Sequence, residues 1–129
     1  MNTEIKDKWI LALTSGEYIQ GDRELCYAYD IKYNDSGEFV ISYENRYSYY
    51  GVLCDIYMKE TGNGYWKKTY GRTKKWWPGK YVFIMNEFKY TNTIPIEIRS
   101  WADIDNLPHI DNYKKVPFVD IIKTIHRIF

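Results

Sequence analysis

Apolar positions along the chain fall into runs whose period changes, and each change marks an element. In "TEIKDKWILALTSG", residues 3–16, Ile5, Trp9, Ala12 and Leu13 recur at i, i+4, i+7 and i+8, the single stripe of an amphipathic helix. Thr3 reads as its N-cap, Glu4 suits the positive first turn, and Gly16 can end it in the left-handed region. Trp9 is then an anchor of the core. The next two runs alternate with period two. "ELCYAYDIKY" and "GEFVISYEN" flank the turn signal "NDSG", which predicts a hairpin. Its first arm sets Leu25, Tyr27, Tyr29, Ile31 and Tyr33 on one face and Cys26, Ala28, Asp30 and Lys32 on the other.

"RYSYYGVLCDIYMKETG" returns to helical spacing through Tyr49, Val52, Leu53 and Ile56, closed by Gly62. Gly51 inside that helix costs roughly 1 kcal/mol against Ala, and close packing of another element is the simplest reason for it. Residues 64–90 form a second β region, with "GYWKKTY" and "KYVFIM" as strands and "GRTKKWWPG" as the loop between them. "TIPIEIRSWADI" makes a short helix with Pro95 in its first turn and a stripe of Ile94, Ile98, Trp101 and Ala102. Pro117 opens a last helix whose apolar side is Phe118, Ile121, Ile122, Ile125 and Phe129. The elements predict a single α+β domain over residues 1–129: a small antiparallel sheet of two hairpin regions packed with three to four short helices.

Charge changes the picture in one place. Residues 64–81 hold six cations (Lys67, Lys68, Arg72, Lys74, Lys75, Lys80), six aromatics (Tyr65, Trp66, Tyr70, Trp76, Trp77, Tyr81) and no acid. Setting those six aside from the eighteen cations leaves twelve against seventeen acids, so the rest of the chain carries −5. A mildly acidic chain with one basic segment argues against a protein that coats long duplex nucleic acid, and for a local anion site. Aromatics are 19% of the residues, and Tyr and Trp serve interfaces and stacking sites as well as cores. That excess leads us to expect a homo-oligomer.

Candidate catalytic chemistry is thin, and the expectation is a protein that is not an enzyme and needs no cofactor. His109 and His126 stand apart, without a ligand partner at i+2 or i+4, which argues against a metal site. Asp103 and Asp105 in "ADIDN" lack the Gly and the distal Glu of a calcium loop and read as a polar turn. The spacing of Cys26 and Cys54 matches no redox or metal motif. Asp55 is expected to face outward or to cap a neighbour. No secretory signal and no run of about 18 apolar residues is present, so a reducing cytoplasm is the expected address.

Trp9, Ala12, Leu13, Ser15, Gly16, Tyr18, Gln20 and Gly21 spell a Trp-x-x-Ala-Leu-x-Ser-Gly-x-Tyr-x-Gln-Gly segment. Gly51, Val52, Leu53, Cys54 and Asp55 match the end of a Cys-Cys-Leu-Gly-Val-Leu-Cys-Asp helix, with Ser48, Tyr49 and Tyr50 in place of Cys-Cys-Leu. With Ile94, Pro95, Trp101, Ala102, Phe118, Ile121 and Ile125, the chain resembles a family of small proteins encoded by tailed bacteriophages and prophages. The resemblance implies a phage origin and a host-cytoplasm address. It carries no activity with it, and the absent Cys doublet carries no role over.

The basic-aromatic segment has two readings. Lys on an edge strand blocks strand-to-strand aggregation while the aromatics pack inward. Alternatively, Lys67, Lys68, Arg72, Lys74, Lys75, Trp76 and Trp77 bind a ligand, the cations holding phosphate and a Trp stacking on a base, since two adjacent Trp in an extended chain cannot both face inward. A phage protein with such a site is expected to antagonise host antiviral defence by sequestering a nucleotide second messenger. The alternative is an inhibitor that binds a host defence protein through exposed aromatics.

Overall fold

Trp9 sits at the centre of the core, fully buried, as the stripe of the first helix requires. The computed structural model describes residues 1–21, 25–27, 30–42, 45–69, 80–105 and 116–129. Helix α1 spans Thr3–Thr14 and begins one residue earlier than expected, with Asn2 as N-cap, its side chain accepting from the Ile5 N–H at 3.1 Å. Gly16, at φ 79°, takes the left-handed position beyond the C-cap Ser15. Trp9 stacks on Tyr50 at 5.9 Å and donates its indole N–H to the Tyr49 carbonyl at 2.8 Å, tying α1 to the second helix.

That second helix, α2 (Tyr49–Thr61), starts at the Ser48 N-cap and ends at Gly62, φ 72°. Tyr49, Val52, Leu53 and Ile56 are buried as their helical spacing predicted, and so is every residue from Tyr49 through Tyr57, so α2 is covered on every side. Gly51 behaves as its cost implied. A Cβ there would lie 1.7 Å from the Leu25 carbonyl oxygen, so the neighbouring backbone occupies the space of a side chain. Helices α3 (Ile96–Ala102) and α4 (Phe118–Ile128) follow the prolines, with Pro95 and Pro117 at the N-cap positions. Asp103 and Asp105 are exposed, and Asp103 adopts the left-handed conformation that closes α3.

Eight strands are present among the described residues: β1 (Ile19–Gln20), β2 (Cys26–Tyr27), β3 (Asp30–Tyr33), β4 (Phe39–Ser42), β5 (Arg46–Tyr47), β6 (Tyr65–Thr69), β7 (Lys80–Met85) and β8 (Phe88–Tyr90). Six of them form one sheet in the order β1-β5-β2-β7-β6, with β8 also pairing β7. All its pairings are antiparallel except β1 with β5. The remaining pair, β3 and β4, makes a separate ribbon in register from Tyr33↔Phe39 to Asp30↔Ser42. Its turn is held by the Asn34 carboxamide, which accepts from the Ser36 and Glu38 N–H groups at 3.0 and 2.9 Å.

The first hairpin arm is described in two parts. Cys26 and Tyr27 belong to the main sheet, whereas Asp30–Tyr33 belong to the ribbon. Strict alternation fails at its start, where Leu25 and Cys26 are both buried. β7 is the central strand and is buried on both faces: Phe83 and Met85 enter the core cluster, and Val82 and Ile84 are covered on the opposite side. β8 escaped the sequence reading as a separate strand. It follows a two-residue turn at Asn86 and Glu87, both at positive φ (50° and 71°).

The result is a mixed α+β unit, as the pattern predicted. Among the described residues, no helix is long and apolar enough to cross a membrane.

Candidate functional site

A carboxylate inside a helix that is buried all round must find donors, because an unpaired buried charge is heavily penalised. Asp55, expected at the surface or on a cap, is instead such a group, with its side chain 6% exposed. The Tyr18 hydroxyl donates to it at 2.6 Å and the Trp66 indole N–H at 3.0 Å. Lys59, one helical turn on, places its ammonium 3.0 Å from Oδ2 while remaining 62% exposed. Three elements thus meet at one carboxylate: the segment after α1, helix α2 and strand β6.

Aromatic rings surround the junction. Tyr18 meets Tyr47 edge-on at 5.0 Å, Tyr47 meets Trp66 at 6.0 Å, and Trp66 meets Phe83 at 4.9 Å. Lys59 also lies 5.5 Å from the Tyr18 ring centroid and donates to the Tyr18 hydroxyl at 3.3 Å. Burial, and then the bond to Asp55, pushes the Tyr18 phenol well above its ordinary range. Cys26, hydrogen-bonded to Tyr47, has its thiol pushed up to about 12 chiefly by burial. Cys54 is fully buried and is also held well above the ordinary thiol range. Both thiols are protonated at neutral pH, the opposite of what a nucleophile needs. Asp55 spends its lone pairs on three donors, so its local task is to hold Trp66, and with it β6, against α2.

The seven residues expected to bind a ligand divide into three groups. Arg72, Lys74, Lys75, Trp76 and Trp77 lie outside the described residues. Lys67 and Lys68 are exposed on β6, but a strand sends neighbours to opposite faces. Lys68 shares the α2-facing side with Trp66 and with its cross-strand partner Tyr81. Lys67 falls on the other side with Tyr65 and Val82. The pleat thus sets the two lysines on opposite faces of the sheet. On the α2 side the sheet instead gains a cation that the sequence reading missed, Lys59. Tyr18 and Asp55 were missed as partners because 37 positions separate them and nothing local links a phenol to a carboxylate across that distance. Asp55 amid apolar neighbours was the available signal.

A family model described as a domain of unknown function (DUF8296) matches residues 1–127, and the chain belongs to that family. No curated protein and no solved structure matches it.

Proposed function

We propose that this DUF8296 member is a phage-encoded, non-enzymatic binding protein that sequesters a phosphorylated nucleotide signal in the host cytoplasm and so antagonises antiviral defence. The observation that carries the reading is the α2-facing surface of the sheet. There the ammonium groups of Lys59 and Lys68 lie on the same side as the rings of Tyr18, Trp66 and Tyr81. Asp55 and Tyr18 occupy two of the three Lys59 donors, which leaves one for a phosphate oxygen. Lys68 stands near the end of β6, so the cations and paired Trp of residues 71–79 continue directly from this surface in sequence. The phage origin rests on the resemblance of the opening and central segments. The protonated state of both buried thiols and the engagement of Asp55 by three donors support binding over covalent catalysis.

Incubation with cyclic dinucleotides and cyclic ADP-ribose isomers, followed by denaturation and analysis of what is released, tests the proposal. Recovery of intact ligand together with a raised melting temperature supports it. A bound ligand adds about 2.7 kcal/mol of apparent stability at a hundredfold excess over its Kd. Released product would mark an enzyme instead. A panel without any thermal shift would favour the second reading, an inhibitor of a host defence protein, which the 55% and 68% exposure of Tyr65 and Phe88 favours.

A further inference from the structure

The outer edge of β6 carries an inference that does not depend on a nucleotide ligand. β6 ends the strand order of the sheet, and among the described residues it pairs only with β7. An edge strand presents a row of backbone donors and acceptors ready to pair with another extended segment. Its side chains state what that segment must carry. Tyr65 is 55% exposed, and Lys67 and Lys68 are exposed on opposite faces. Across the sheet, exposed Lys89 stands on the same face as Tyr65, joined through the register Tyr65↔Ile84↔Lys89. The described strand residues of β6, β7 and β8 include no acid.

We propose that β6 is a docking edge for an extended acidic segment of a partner protein, added as a further strand. Carboxylates fall opposite Lys67 and Lys68, one on each face, and an apolar residue falls against Tyr65. A second copy of this chain fits poorly, because pairing β6 with itself sets lysines against lysines. An acidic strand turns the same lysines, which otherwise keep the edge from aggregating, into the element that selects the partner.

The test uses the full chain and a capped, fluorescently labelled peptide, Val-Thr-Glu-Glu-Thr-Val, whose palindromic order suits either strand direction. Its Lys-Lys counterpart and a version N-methylated at alternate residues serve as controls. The acidic peptide is expected to bind and to slow hydrogen exchange of the residue 65–69 amides. The Lys-Lys control is expected not to bind. N-methylation of the edge facing β6 should weaken binding roughly tenfold or more, as loss of main-chain pairing requires. Lys67→Glu should weaken it by roughly the same factor with an unchanged melting temperature, because its side chain is exposed. Equal binding of the N-methylated peptide would overturn strand addition, and no binding at millimolar peptide would overturn the docking edge. Displacement of the peptide by an oligothymidine strand that protects the same amides would assign the edge to nucleic acid instead.

Discussion

Asp55 brings a negative charge into the most deeply buried helix, and its three donors are what make that tolerable. Asp55→Ala strands the Tyr18 hydroxyl and the Trp66 indole N–H in a half-buried setting. We expect a loss of about 3 kcal/mol in urea unfolding, the scale of hydrogen bonds to a charged group left unmade, with Asp55→Asn milder because it keeps one acceptor. Lys59→Ala should cost far less, since its ammonium is exposed and simply returns to water. The buried thiols and phenols have a consequence for alkaline stability. Cys26 and Cys54, with an ordinary value of 9.0, and Tyr18, Tyr47 and Tyr50, with one of 10.0, are all raised in the folded chain, chiefly by burial. The unfolded chain then loses these protons first, so it binds fewer than the folded chain and stability falls as pH rises. Their contribution is fully present below about pH 9 and declines from there toward pH 12. Urea midpoints measured from pH 7 to 11 should fall over the upper part of that range, and a flat profile would contradict the burial described. In the same buffers both thiols should react with a disulfide reagent only after unfolding.

At the scale of elements, a side chain from a distant segment supplies the N-terminal cap that α4 does not make for itself. Neither Pro117 nor any neighbour caps α4 by its own side chain. Gln20, from strand β1, does so: its carboxamide oxygen accepts from the Phe118 N–H at 2.9 Å while its nitrogen donates to the Val116 carbonyl. Gln20→Ala should cost about 1 to 2 kcal/mol, the value of a lost N-cap, and hydrogen exchange should quicken first in α4. Gly51 sets a harder constraint. Gly51→Ala gains intrinsic helix propensity yet drives a methyl into the Leu25 carbonyl, so the net effect should be a loss of about 3 kcal/mol or more. A variant as stable as the parent in thermal unfolding would mean that α2 can move off Leu25. The opening segment has the same character: Trp9 and Tyr18 both reach α2, Gln20 reaches α4, and Gly21 donates to the Tyr47 carbonyl at 2.8 Å. It ties the fold together.

For the whole molecule, most of the aromatic side chains among the described residues belong to the core or pack against it. Trp9, Tyr49, Tyr50, Tyr57, Phe83 and Phe118 are buried, and Tyr18, Tyr47, Trp66, Tyr90, Trp101 and Phe129 pack against the same cluster. That weakens composition as an argument for self-association and leaves exposed surface to carry it. Asn86 bonds Glu97 at 2.9 Å, tying the β7–β8 turn to α3, and Phe88 and Ile96, 68% and 60% exposed, flank that tie. We propose a symmetric dimer through this end; light scattering at micromolar concentration should give twice the chain mass, and a monomer would reject it. The helices, the Asn34 turn, the β6–β7 pair and the reason for Gly51 were legible in the sequence, because periodicity, caps and turn residues act over a few positions. Other features were decided only when the chain closed on itself: the all-round burial of α2, the capture of Asp55 by Tyr18 and Trp66, and the Gln20 cap on α4. Each joins groups far apart in sequence, and a local pattern holds no record of which distant donor will meet a buried acceptor. The pleat, by contrast, was implicit in the sequence from the start: residues 67 and 68 of one strand face opposite ways, and the register with β7 decides only which lysine lies on the α2 side.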